Sequence, residues 1–133
     1  MILKDLIIKH EGLRLFPYRC SAGKLSIGVG RNLDDVGITR DEAEFMLDGD
    51  IARSAQDAMS VFPRFYMYSS NRQNAIIDLC FNLGKTRFLK FKKMIAAIKN
   101  EDWEEAAIQA ADSRWHKQVG KRAIEDEKLL REG

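Results

Sequence analysis

The chain has 133 residues, 45% hydrophobic and 32% charged, with 22 basic and 20 acidic side chains. It is long enough for one cooperative unit with a real core, and a formal charge of +2 is too small to argue for nucleic acid by itself. Two cysteines without metal-ligand spacing and two isolated histidines exclude a disulfide framework and point to no metal and no cofactor, while the stretch Met1 to Ile8, broken by Lys4 and Asp5, is too short for a signal peptide or membrane span.

Residues 2–11 read as a short helix that Gly12 ends. Leu3, Ile7 and Glu11 fall on one stripe, so Glu11 is expected to be partly desolvated. It also sits at the negative end of the helix dipole, and both effects favour its proton-carrying form. Such an acid is what protonation of a leaving-group oxygen requires, the plain alternative being a solvated glutamate at a frayed helix end. Residues 14–20 and 25–30 then read as two strands around Ser21-Ala22-Gly23. Leu25, Ile27 and Val29 share one face of the second strand, and Ser26, Gly28 and Gly30 the other. A face of serine and glycines leaves room for a ligand. With Cys20 across from Ser26, both side chains point into that groove; otherwise Ser26 is an ordinary strand residue and Cys20 a small hydrophobe.

Thr39 and Glu42 form a capping box that opens a helix to about residue 60, with Ala43, Met46, Leu47, Ile51, Ala55 and Met59 as its apolar set. Pro63 marks the break. Ser70 with Gln73 caps the next helix, which runs through Leu83, is apolar almost all round and ends at Gly84. Cys80 is a core residue in it, and Asn82 either helps to end the helix or hydrogen-bonds a sugar. Shorter helices follow near 91–99, 101–111 and 114–130. Trp103 reads as core; Trp115 is either core or an aromatic face for a sugar ring. Six basic residues and no acid lie between Lys85 and Lys99. They form a solvated helix face, a field that draws the chain to an anionic partner, or a DNA-binding patch, for which no motif is present. The whole is an α+β chain, mainly α: a small lobe over 1–38 with a β-hairpin, a connecting helix over 39–60 and a helical lobe over 61–133, without a flexible linker.

His10-Glu11-Gly12, Tyr18-Arg19-Cys20 and Lys24-Leu25-Ser26-Ile27-Gly28-Val29-Gly30 set an acid and two small polar residues at the spacing E-x8-C-x5-S. Together with Gly37-Ile38-Thr39-Arg40-Asp41-Glu42-Ala43-Glu44, Phe81-Asn82-Leu83-Gly84, Trp103-Glu104-Glu105-Ala106-Ala107, Ser113-Arg114-Trp115 and Lys121-Arg122, nearly the whole chain resembles the phage-type lysozymes (endolysins or muramidases) of glycoside hydrolase family 24. The resemblance implies a single lysozyme-like domain that hydrolyses the β-1,4 bond between N-acetylmuramic acid and N-acetylglucosamine in bacterial peptidoglycan. It carries over Glu11 as the catalytic acid, Cys20 in the place of the second residue and Ser26 in the place of a threonine. Arg122 matches an arginine that packs near the glutamate, and Asn82 and Trp115 match cleft positions of the larger lobe. It implies a monomer with no nucleic-acid partner and no membrane insertion, made in a host bacterial cytoplasm and released to the wall by a holin-type lesion.

Three departures from the family pattern stand out. Serine at position 26 keeps the hydroxyl and loses a methyl group. A thiol at position 20 replaces the commoner carboxylate, and as a nucleophile, a water-orienting group or a weak electrostatic partner it changes the chemistry more. The short stretch from Gly30 to Thr39 leaves the small lobe without a family helix. Two other readings fit the residues: a lysozyme-fold protein that binds peptidoglycan without cleaving it, and a small basic helical domain that binds nucleic acid or a protein.

Overall fold

The structure, a computed structural model, describes residues 2–133. The chain divides into two compact units, one ending at Met46 and the other running from Leu47 to Gly133. In the first, α1 (Leu3–Glu11) ends where the Gly12 N–H closes on the Ile8 carbonyl at 2.8 Å. An antiparallel sheet follows in the order β1 (Arg14–Arg19), β2 (Leu25–Gly28), β3 (Arg31–Asn32). The second strand is thus shorter than the sequence suggests. Gly28 and Gly30 have φ of 72° and 68°, so the chain reverses there and returns as β3, with Asn32 opposite Ser26.

Polar contacts fasten this unit. The Leu25 N–H donates to Asp34 at 2.8 Å, Arg19 reaches the same carboxylate at 3.5 Å, and Lys24 reaches Asp35 at 3.3 Å. No helix intervenes between β3 and α2 (Arg40–Val61) among the described residues, as the short Gly30–Thr39 stretch implies. The capping box forms as expected: the Glu42 N–H donates to Thr39 Oγ1 at 3.1 Å and the Thr39 N–H donates to Glu42 Oε1 at 2.9 Å. Arg31 adds a fork onto the two oxygens of Glu42, at 2.9 and 2.7 Å, and donates to the Gly37 carbonyl at 3.1 Å. One carboxylate therefore joins β3, the loop and the first turn of α2.

Beyond Met46, α2 buries Ser54 and Ala58, not the apolar set its spacing suggests. Met59 of that set packs against the core, while Met46, Leu47 and Ile51 are exposed. Positions 54, 58, 61 and 62 form the covered stripe, and periodicity alone does not say which of two such stripes meets a partner. After a 3-10 turn at Phe65–Met67 come α3 (Ser70–Leu83), α4 (Lys85–Phe88), α5 (Lys92–Lys99), α6 (Trp103–Ala111), α7 (Arg114–Val119) and α8 (Lys121–Glu132). The cap of α3 is Ser69, one residue earlier than the capping box places it, because the Gln73 amide donates to the Phe65 and Tyr68 carbonyls and not back to the cap. The helix expected over 114–130 breaks at Gly120, and α4 has no counterpart in the sequence reading.

The core of this unit gathers Phe62, Ile76, Leu79, Phe88, Met94, Ile98 and Leu130, each of which removes about 1.5–3 kcal/mol of side-chain transfer energy from water. The Phe62 ring stands edge-on to Phe88 and Tyr68, with centroids 6.0 and 6.2 Å apart. Trp103 packs on this core as expected, 4.8 Å from Tyr68, with the Arg72 guanidinium 4.5 Å over its ring. Arg72 also donates to the Leu130 and Arg131 carbonyls at 2.8 and 3.1 Å, closing the C-terminal end of α8.

Arg31 and the Thr39 cap hold the Glu42 carboxyl at about 2, below its ordinary 4.5. Its stabilising contribution is therefore complete above about pH 4.5 and is lost as the pH falls towards 2. Acid titration of unfolding should show Glu42→Gln to be less stable than the parent near neutral pH, with the gap closing towards pH 2. A gap that stays constant over that range would contradict the fork.

Candidate active site

Glu11 is the last residue of α1, a helix that buries none of its residues, and its side chain is exposed. This corrects the desolvation inferred from the Leu3-Ile7-Glu11 stripe: the spacing puts the three on one face, and nothing within the first unit covers that face. The carboxylate lies close over Gly30. A Cβ built at residue 30 would lie 2.9 Å from Glu11 Oε2 and 3.3 Å from Glu11 Cδ. The acid rests against a glycine α-carbon, and any side chain there would displace it.

Cys20 and Ser26 lie on the neighbouring turn and strand. Tyr18, and not Cys20, is the register partner of Ser26. A bulge between Arg14 and Tyr18 shifts the register, and β1 ends at Arg19. Cys20 instead closes the turn, its N–H donating to the Lys24 carbonyl at 2.9 Å and its carbonyl accepting from the Gly23 N–H at 2.8 Å. The two residues are still close enough for Ser26 to act on the thiol. The backbone at Lys24 and Ala22 and, to a lesser degree, the nearby Ser26 hydroxyl favour the thiolate and hold the Cys20 thiol below its ordinary value. Ser26 does not line an open groove: it is 2% exposed, the one buried residue among those described in its unit, and its hydroxyl donates to the Lys24 carbonyl at 3.4 Å. The open groove of this unit, 610 Å³, runs along the opposite face of β2, where Ile27 and Val29 meet Phe45 and Met46.

In the second unit, Trp115 is 3% exposed, and its indole N–H donates to Asn82 Oδ1 at 2.7 Å. Asn82 thus ties the end of α3 to α7, a role that neither of its two expected ones anticipates. Arg122 forks onto Asp78, Nε and Nη2 donating at 2.9 and 2.6 Å, and lies beside Phe81 and Ile51 in a groove of 290 Å³. Behind it Asp78 meets the buried Asp126, and His116 Nδ1 contacts Glu127. Sequence reasoning missed Asp78 and Asp126. A signal was present: Ala123, Asp126, Glu127 and Leu130 make one helical stripe, so two acids sit on the face that α8 buries. Cys80 is core, as expected, and burial first, then the nearby Asp57 charge, push its thiol up to about 12. Among the described residues no cluster of three His, Cys, Asp or Glu is spaced to hold a metal ion.

A sheet-bearing unit whose first helix ends in a glutamate, then a 22-residue helix and a helical unit, is the architecture of a lysozyme-like protein. The comparisons agree with it. The phage lysozyme family matches residues 8–129, and the chain belongs to that family. It is 27% identical to a probable T4-type lysozyme 2 of Dictyostelium discoideum, over 91% of this chain and 88% of that one. It is 39% identical to an endolysin of Acyrthosiphon pisum secondary endosymbiont phage 1, over 62% of this chain and 58% of the relative. It is also 27% identical to the pre-baseplate central spike protein Gp5 of Enterobacteria phage T4, over 92% of this chain but 26% of that protein.

The two thiols should separate in a labelling experiment. In the native protein, iodoacetamide should alkylate Cys20 with a pH midpoint below that of an ordinary thiol, and Cys80 only after unfolding. Equal labelling of both, or an unshifted midpoint at Cys20, would contradict the donor arrangement around the turn.

Proposed function

We propose that the protein is a muramidase that hydrolyses the β-1,4 bond between N-acetylmuramic acid and N-acetylglucosamine in bacterial peptidoglycan. Glu11 is the general acid that protonates the leaving glycosidic oxygen. Cys20 is the anionic partner, its thiolate opposing the positive charge that develops on the sugar ring, and Ser26 holds that thiolate through its hydroxyl. Backbone donors on the sulfur support this role, since they stabilise charge at Cys20 where a carboxylate is commoner. The observation that carries the proposal is the seat of Glu11 against the Gly30 α-carbon, within the same unit as the Cys20–Ser26 pair and inside the span matched by the phage lysozyme family. Of the second unit's candidates, Arg122 lines a groove of that unit and is the one we assign to sugar binding, whereas Trp115 is buried and bonded to Asn82.

The same reading has the chain made in a bacterial cytoplasm and acting on the wall after release through a holin-type lesion. No described helix is long and apolar enough to cross a membrane. Among the described residues none of the six cations from Lys85 to Lys99 forms an ion pair, which supports attraction to an anionic wall. The burial of Ser26 favours one other reading, a wall-binding protein that does not cleave.

The test is release of new reducing ends from purified peptidoglycan by the parent chain and by Glu11→Gln, whose fold is checked by circular dichroism. The variant should lose about two to four orders of magnitude of activity, the span of general acid catalysis. Undiminished release by the variant would overturn the assignment of Glu11. No release from either protein, with both sedimenting with the walls, would establish the binder.

A further inference from the structure

Asp126 is an acid where the packing of α8 asks for an apolar residue. It is 4% exposed, and its Oδ2 has no hydrogen-bond partner. Its carboxyl group lies in hydrogen-bond contact with that of Asp78 on α3. Two carboxyl groups in such contact need one proton between them, because two ionised ones have only acceptors to offer. The proton is assigned by the surroundings. Burial pushes Asp78 up, but hydrogen bonds from Arg122 and from Asp126 outweigh it and hold Asp78 below the ordinary carboxylate range. Asp126 has no such fork, and burial, then the hydrogen bond to Asp78 and its negative charge, push it up to about 9.

We infer that Asp126 is a positioning residue for Arg122: as a buried neutral acid it donates a hydrogen bond to Asp78, which keeps the Asp78 carboxylate turned to receive both N–H groups of the guanidinium. The chain of contacts is Asp126 to Asp78 to Arg122, from the buried face of α8 to the groove beside Phe81. It rests on the proposed function only in treating Arg122 as a residue that meets the sugar chain. The charged groups around Asp126 are few. Asp78 faces it from α3, and Arg122 and Glu125 act on it from its own helix. From α7, His116 is engaged with the neighbouring Glu127, and α6, which packs on α8, buries alanines at 106, 107 and 110. Nothing among these supplies Asp126 with a cation of its own. When it ionises, two carboxylates compete for one guanidinium, and the fork loosens.

The experiment follows the Arg122 Nε–H resonance of the 15N-labelled full chain, and its exchange with water, from neutral to alkaline pH. The parent should show a protected Nε–H that loses protection as the pH rises through about 9. Asp126→Asn, which keeps a neutral donor, should stay protected with no such transition; Asp126→Ala should exchange at least about tenfold faster at neutral pH, the effect of losing a hydrogen bond to a charged group. Hydrolysis measured in parallel should fall on the alkaline side for the parent and not for Asp126→Asn, each relative to its own neutral rate. A parent without the transition, or an asparagine variant that exchanges like the alanine one, would overturn the inference, and these two arms decide it even if Asp126→Ala does not fold. Resonances that behave as stated in a protein that hydrolyses nothing would support the positioning chain and overturn the muramidase reading.

Discussion

The proposed chemistry depends first on a space too small for a methyl group. Glu11 leaves the end of α1 with its carboxylate close over Gly30, and a Cβ there would force the side chain aside. The same glycine, at φ 68°, makes the reversal that turns β2 back into β3. One position thus bends the sheet and seats the acid. Its placement comes from the backbone of the sheet, with the helix supplying only the direction of approach.

The two units are stabilised by different physics. In the first, one described residue is buried, and the sheet, loop and α2 are held by the Arg31–Glu42 fork, the Thr39 cap and the aspartates after β3. Contacts between exposed charges weaken with acid and salt. The second has an apolar core across α3, α5, α6 and α8, with polar pairs at its edges: Trp115 with Asn82, Arg122 with Asp78, and Arg72 with the last carbonyls of α8.

Much of this was legible in the sequence. The helix ends at Gly12 and Gly84, the capping box at Thr39, the long second helix and the core place of Cys80 and Trp103 all follow from local rules that the fold obeys. The misses share a cause. Whether Glu11 is desolvated, which stripe of α2 is covered and whether Ser26 is open to solvent depend on what packs above each face, and a period of 3.6 or 2 names the face without naming its cover. Register failed for a second reason, since a bulge before Tyr18 makes Tyr18, not Cys20, the partner of Ser26. The Asp126–Asp78 contact was out of reach because it joins residues 48 positions apart on two helices.

The central claim, that Gly30 seats a catalytic Glu11, is tested most directly by comparing peptidoglycan hydrolysis in Gly30→Ala and Gly28→Ala. Both residues have positive φ, 68° and 72°, so both substitutions carry a similar backbone strain of about 1–2 kcal/mol. They differ in what the new methyl meets: Glu11 at residue 30, and nothing within 4 Å at residue 28. The account predicts that Gly30→Ala loses most of its hydrolysis while Gly28→Ala, equally destabilised, keeps it. Equal losses in the two variants would mean that strain alone governs them and that the seat of Glu11 has no part in the reaction.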